Sequence, residues 1–575
     1  MPIRHLFLVL TGLCCAVTGQ TLEVLNLSPA RNANHVSRSA TVQIDFNEPV
    51  DMASLISENL RLRSLRSGII TGSFSTNGNA VSFQPDHLLI PGDIISVTLT
   101  TRLMSTGGNT LSASHSYRFT VAADPGPQIP LTFRQHTITT DARGLTSVQA
   151  ADIDGDGDMD VLSASETDGK IAWYENDGNQ NFTQDTLTLS AIFAARARAA
   201  DLDSDGDMDI ISVSRADHKV LWFENDGGQN FSPHQISDTS RGALSVFPED
   251  LDGDGDLDLL VGARLRGAIS WYSNDGNQAF SGRDIDDGTP IRDVYGADLD
   301  GDGDIDVMAA NEFNEVLNWY ENDGNQLFNF DTVSTNGDFG YSVFASDLDS
   351  DGDLDILASF ERDHKIAWHE NDGARGFTQH TIDLSASSPR QVFAVDLDGD
   401  SDVDVLCAAS IGLLIAWYEN DGSQNFSRHT ISDSAGGAIA VDVADMDGDG
   451  DLDVISGAYF RNEVAWFENT AVTGVGPGQN PLPQSFELLQ NYPNPFNPAT
   501  LIRYRLSRTA AVNIAVYNTL GQVVRNMVGA TKPAGVHEVL WDGKDNRGVE
   551  MGSGIYFYAI RAGEFLASKK MVLLR

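Results

Sequence analysis

The phrase D-x-D-x-D-x-D-x-D occurs seven times in the 575-residue chain, starting at Asp152, Asp201, Asp250, Asp298, Asp347, Asp396 and Asp445, 49 residues apart and once 48. Self-similarity at such a period marks a repeat architecture, in which each repeat is one small unit that buries its faces only against its neighbours. Two further landmarks keep the period. A Trp follows each phrase by 21 residues, at Trp173, Trp222, Trp271, Trp319, Trp368, Trp417 and Trp466. An aromatic recurs at Phe133, Phe182, Phe231, Phe280, Phe328, Phe377 and Phe426, in a register where the first Phe precedes the first Asp phrase and no Phe follows the last Trp.

Within one repeat, SVQAAD, DVLSAS, KIAWYEN and NFTQDTL read as four short strands, with alternating apolar residues and an N-D-G turn between the last two. About seven such sheets around an axis bury each other's faces, so the fold class is all-β, a seven-bladed β-propeller. The offset Phe register predicts that the segment around Phe133 supplies the outer strand of the last blade, beside Trp466, removing both sheet edges. The seven Trp are expected to pack between blades.

The Asp phrases carry the chemistry. Five carboxylates within nine residues repel one another unless a hard cation balances them, and calcium takes six to eight oxygens at about 2.3 to 2.6 Å. Gly157 occupies position 6 of the first phrase, where the sharp turn excludes a side chain. An EF-hand would need Glu at position 12 between helices; here position 12 is Ser163 and the flanks alternate as strands. Magnesium, with its octahedral shell, is the weaker candidate, and a solvated acidic face without metal is the bland alternative.

With these features the phrases resemble FG-GAP or VCBS repeats, in which a D-x-D-x-D-G-x-x-D loop joins the first two strands of a propeller blade. The resemblance spans residues 131 to 470. It implies calcium, about seven ions, one per blade. The implied ligands are Asp152, Asp154, Asp156 and Asp160 by side chain and Asp158 by its carbonyl. In order, the equivalents are Asp201, Asp203, Asp205, Asp207 and Asp209; Asp250, Asp252, Asp254, Asp256 and Asp258; Asp298, Asp300, Asp302, Asp304 and Asp306; Asp347, Asp349, Asp351, Asp353 and Asp355; Asp396, Asp398, Asp400, Asp402 and Asp404; and Asp445, Asp447, Asp449, Asp451 and Asp453. Ser401 replaces the turn Gly in the sixth loop, so that loop is expected to be strained and to bind calcium most weakly.

The chain holds 82 acidic against 37 basic residues, a formal charge of -45, which argues against nucleic acid and anionic membranes as partners. Residues 1–20, MPIRHLFLVLTGLCCAVTGQ, read as a secretory signal peptide; a lipoprotein signal is the alternative, and Leu13 before Cys14 fits it poorly. The mature chain then keeps only Cys407, expected as a buried small hydrophobe, and contains no transmembrane stretch.

Residues 21–123, with ATVQIDFNEPVD, FQPDHLLIPGD and YRFTV, resemble bacterial Ig-like domains of the SbsA type, which implies a small β-sandwich acting as spacer or adhesive module. The Pro-rich stretch at 124–130 is expected to separate it from the propeller. A Gly/Pro tether at 471–485 leads to residues 486–575. There LLQNYPNPFNPATLIRYRL, VYNTLGQVV, WDGKDNRG, SGIYFYAI and KKMVLLR resemble the type A sorting domain of type IX secretion. That resemblance implies a second small β-sandwich, with Trp541 in its core, read by the type IX secretion machinery and delivering the protein to the outer-membrane surface or the medium.

Strand order places the Asp loops on one face and the turns between second and third strands on the other. Those turns carry Arg215, His218, Arg264, Arg266, Arg362, His364 and Arg461 with Phe313, Tyr459 and Phe460, a face expected to bind an extracellular glycan or protein ligand. A row of solvated turn residues is the plain alternative. A calcium-dependent polysaccharide lyase is the rival class, but neither H-E-x-x-H nor a Gly-rich phosphate loop is present, and His218 and His364 sit at equivalent positions in RADHKV and ERDHKI, which reads as structural. No catalytic residue is assigned.

Overall fold

The computed structural model describes residues 21–123, 131–313, 317–334, 337, 339–470, 487–488, 496, 500–506, 508, 510–520, 522–532, 535–541, 543–547, 549–563 and 565–573. The expected signal peptide, both linkers and the extreme C-terminus fall outside the described residues. Contacts divide the chain into two units, residues 1–471 and 472–575.

The repeat region forms seven four-stranded antiparallel sheets resembling propeller blades. The first runs Leu145–Ala151, Asp160–Ser165, Lys170–Asn176 and Phe182–Thr188, each strand paired to the next. The seventh is assembled from Ala438–Ala444, Asp453–Ala458, Glu463–Asn469 and the distant Phe133–Thr139, in the register Asn469 to Phe133 and Trp466 to His136. The offset Phe register of the sequence is this pairing.

The Trp side chains are buried, none more than 4% exposed. Trp173, Trp222, Trp271 and Trp319 each meet the outer-strand Phe of the following sheet edge-on, at 5.9 to 6.3 Å between centroids. Such contacts join neighbouring sheets through aromatic quadrupoles as well as apolar burial. Cys407 is 1% exposed, and burial pushes its thiol far above the usual range.

The N-terminal sandwich packs one sheet ordered Val24–Ser28, Val42–Phe46, Ala80–Pro85, Gly72–Asn77 on another ordered Gly68–Ile69, Leu60–Ser64, Ile94–Leu99, His115–Thr120. It does not stand off as a spacer. The domain docks on the Asp-loop face of the repeat region and reaches loops from every sheet. The backbone amide of Asp152 donates to the Arg66 carbonyl (2.9 Å), and that of Ser116 to the Gly303 carbonyl (2.8 Å). Asn32 and Asn34 donate to the carbonyls of Gly352 and Asp347, both at 3.0 Å. Arg31 pairs with Asp298 at 3.2 Å, His35 lies 3.1 Å from Asp396, and Arg61 reaches Ser204 and Asp256. Arg66, 3% exposed, donates to the Ala150 carbonyl and pairs with Asp442 of the seventh sheet at 3.4 Å. The physical reason is charge. LRLRSLR alternates like a half-exposed strand, yet its arginines are buried against the most acidic surface of the chain.

The C-terminal unit holds a three-stranded sheet, Glu487–Leu488, Thr500–Leu506 and Gly535–Trp541, and a four-stranded sheet ordered Val523–Lys532, Ala510–Tyr517, Gly554–Ala562, Phe565–Leu573. Trp541 is fully buried in its core and donates its indole N–H to the Lys544 carbonyl at 2.9 Å.

Candidate metal centres and the opposite face

Each Asp loop is shaped by its own side chains. In the first, the amide of Asp156 donates to Asp154 Oδ1 (3.2 Å) and that of Asp158 to Asp156 Oδ1 (2.9 Å), winding the backbone around the carboxylates. The position 6 residue is left-handed throughout, with φ of 96° to 101° at Gly157, Gly206, Gly255, Gly303, Gly352 and Gly450. Ser401 is forced to φ 87°, so the strain expected of the sixth loop is present.

The carboxylates of positions 1, 3 and 5 come within 4.8 Å of one another in the loops of Asp152, Asp250, Asp298 and Asp347; in the second loop Asp201 and Asp203 are joined by position 9, Asp209. Position 7 turns away. A β-carbon on Gly178 of the N-D-G turn would collide with the Asp158 carboxylate, and the same holds for Asp207 against Gly227, Asp256 against Gly276, Asp304 against Gly324, Asp353 against Gly373 and Asp402 against Gly422. That leaves the position 7 carbonyl, not its side chain, for an ion.

Position 9 does double duty that sequence reasoning missed. Asp160 is fully buried, and its two oxygens accept the amides of Asn176 (2.8 Å) and Ile153 (3.0 Å). The same pair of bonds recurs at Asp209, Asp258, Asp306, Asp355, Asp404 and Asp453, at 2.7 to 3.2 Å. The Asn so positioned reaches the sheet before it: Asn274 Nδ2 donates to the carbonyls of Leu257 and, one sheet back, Leu202. The invariant spacing of that Asn, 16 residues beyond position 9, was the available signal.

The site fits a hard divalent cation. Buried carboxylate oxygens lack any hydrogen-bond partner among the described residues at Asp201 (both), Asp250, Asp152 and Asp445, and a buried carboxylate persists only when something balances it. Burial pushes Asp160, Asp209, Asp355 and Asp250 up to about 8, like charges on neighbouring carboxylates adding to the shift. Asp258, Asp306, Asp404 and Asp453 are raised well above the ordinary range for the same reason. Oxygen ligands in this number suit calcium.

On the opposite face the expected arginines scatter. Arg264 pairs with Glu312, Arg266 with Asp284, and Arg461 with Glu463. His218 Nδ1 lies 3.1 Å from the Arg215 carbonyl, and the Ser388 amide donates to His364 Nδ1 at 3.0 Å, so both histidines brace turns. Arg215, Tyr459 and Phe460 instead line one cavity of about 250 Å³ at the starts of the inner strands. Arg196, Arg292, Arg390 and Tyr341 line it too, and none of these was singled out from the sequence.

These features define a repeat protein of acidic-loop, propeller-like sheets with an Ig-like domain docked on the loops. The FG-GAP-like repeat family is matched over residues 152–212, 201–261, 250–309, 298–358, 347–407 and 396–456, more than half of the chain, and the chain belongs to that family. Residues 19–121 match the bacterial Ig-like domain, and residues 498–564 the FlgD Ig-like domain. No curated protein is matched. Among solved structures, a Bacteroides fragilis protein described as a candidate 6-phosphogluconolactonase is similar at 13% identity over 66% of this chain and 95% of its own, with a TM-score of 0.38. A functionally unknown protein of Desulfotomaculum acetoxidans is similar at 12% identity over 60% and 94%, with a TM-score of 0.34.

Proposed function

We propose that this chain is a secreted or cell-surface binding protein, a closed seven-bladed propeller that holds about seven calcium ions and takes an extracellular glycan or protein ligand on the face opposite its Asp loops. The observation that carries the reading is the docked Ig-like domain: it covers the acidic face and leaves the arginine- and aromatic-bearing face for a partner. In each loop positions 1, 3, 5 and 9 would hold the ion by carboxylate and position 7 by carbonyl. Bound calcium would offset charge that otherwise weakens the fold: seven ions move the formal charge from -45 to -31. The bacterial Ig-like domain supports an extracellular address, and the C-terminal resemblance supports export by the type IX machinery. Among the described residues no helix is long and apolar enough to cross a membrane.

A lyase is the second reading, since Tyr459 and Arg215 share the cavity with Glu166. Tyr459 donates to Glu166 at 2.7 Å, and that hydrogen bond raises its phenol above the usual range, contrary to what a general base needs. Binding is therefore preferred to catalysis. The test is an array of acidic and neutral glycans probed with the full calcium-loaded chain, followed by incubation of any bound polysaccharide with the protein. Retention without chain cleavage is expected. Release of unsaturated sugar products would replace binding with catalysis, and no retention of any glycan or extracellular protein would overturn the reading.

A further inference from the structure

The cavity is built on one repeat position. Thr146, Ala195, Leu244, Arg292, Tyr341, Arg390 and Ile439 are equivalent residues of the seven inner strands, 49 or 48 apart, and all of them line it. Read around the ring, the position is apolar or small in the first three sheets and the seventh, and arginine, tyrosine, arginine in the fourth to sixth. The Tyr341 ring is held between the two guanidiniums, 4.1 Å from that of Arg292 and 4.5 Å from that of Arg390. Across the cavity Arg215 lies over Phe193 and pairs with Glu166 at 3.1 Å, while Arg196 pairs with Asp293 at 2.6 Å.

Charge in this cavity opposes that of the chain. Of the charged residues that line it, Arg196, Arg215, Arg292 and Arg390 stand against Glu166 alone, in a protein of net charge -45. Arg390 pairs with Glu361 at 2.7 Å, whereas Arg292 forms no ion pair within 4 Å among the described residues; it stacks on and hydrogen-bonds Tyr341 and feels the charges of Glu312 and Glu361 only at longer range. Four guanidiniums against one lining carboxylate, in a walled site, call for a planar anion.

We infer that this cavity is a binding site for a single carboxylate-bearing sugar residue, with Arg292 and Arg390 on the carboxylate. The inference rests on the binding reading above and narrows it to one ligand class and place. A volume of about 250 Å³ is below the roughly 300 to 1,000 Å³ of pockets for drug-sized ligands, which suits one sugar ring or a chain end. The rings of Phe193, 44% exposed, and Phe460, 72% exposed, offer apolar faces to sugar C–H groups. Ser410, Gln391 and the Glu166–Tyr459 pair offer acceptors and donors to its hydroxyls. That mixture favours a sugar over an acidic peptide.

Calorimetric titration of the full calcium-loaded chain with a hexuronate trisaccharide, a neutral hexose trisaccharide and an acidic hexapeptide tests it. The uronate is expected to bind and the neutral sugar to bind at least about tenfold more weakly, as loss of a charge-assisted hydrogen bond implies. Arg292→Gln or Arg390→Gln should weaken the uronate by about tenfold or more. Ala195→Trp, which fills the cavity and leaves every arginine in place, should abolish binding, while Arg134→Ser on an outer strand changes nothing. Melting temperatures in calcium identify variants that fail to fold, and Ala195→Trp then decides. Uronate binding that survives Ala195→Trp and Arg292→Gln but is lost on replacing Arg264 and Arg266 by Ser places the ligand on the rim and overturns this inference alone. Preference for the peptide also overturns it. Failure of the wild-type chain to bind any acidic glycan removes this inference, and failure to bind any glycan at all removes the glycan reading beneath it.

Discussion

The side-chain amide of Asn176 donates to the carbonyl of Met446 at 3.1 Å, joining the first repeat to the last. The two residues are 270 positions apart, and the bond repeats the latch that the five pairs of neighbouring sheets from the first to the sixth make locally, as Asn274 does with Leu202. The same Nδ2 donates to Met159 of its own loop at 3.2 Å. Asn176→Ala strands two buried carbonyls. Chemical denaturation should show a loss of roughly 1 to 3 kcal/mol, whereas an unchanged midpoint would mean that the strand pairing of residues 133–139 holds the two ends unaided.

The buried carboxyls of position 9 make stability depend on pH in a direction that calcium should erase. Their pKa is about 8 in the folded loops at Asp160, Asp209 and Asp355 against 3.8 in an unconstrained chain. The folded state therefore holds more protons between those values. Their contribution is complete below about pH 4 and is lost as pH rises through about 8. In chelator the melting temperature should fall from pH 5 to pH 8; in saturating calcium, which binds the deprotonated form, the fall should vanish. A flat profile in chelator would mean the carboxyls are not buried as described.

Ser401 tests the turn geometry. Its φ of 87° costs a residue with a β-carbon energy that glycine avoids. Ser401→Gly should stabilise the protein by about 1 kcal/mol, and Gly157→Ser should do the reverse. Calcium affinity measured site by site is expected to be lowest at the sixth loop and to rise in the Ser401→Gly variant.

Among the contacts that dock the Ig-like domain, the guanidinium of Arg66 bonds Ala150 and Asp442 in a buried setting. Arg66→Ala leaves the 6%-exposed Asp442 carboxylate without this cation, at a cost of roughly 3 to 5 kcal/mol. Scanning calorimetry should then resolve separate transitions for the Ig-like domain and the repeat region. A single shifted transition would mean that the other contacts suffice for docking.

Much was legible in the chain because a repeat states its rules seven times. Strand alternation, the N-D-G turns, the Asp loops, the buried Trp and the offset of Phe133 against Trp466 are local or strictly periodic, and local chemistry decides them. Position 9 was legible as a candidate ligand, but its second role as acceptor for the Asn176 amide needed the strand after the loop to fold back beside it.

Two features belong to the tertiary structure. The arginines of LRLRSLR cannot be told from exposed strand residues until the acidic loops of seven separate repeats converge on one face and attract them. Arg292, Tyr341 and Arg390 are unremarkable in their own repeats, and meet in one cavity only when the packed sheets bring the same position of each inner strand together. A periodic sequence determines what each unit folds into; where the units differ, what the packed sheets set side by side is decided only in the assembly, because the convergence of one repeat position on one cavity is a property of no single repeat.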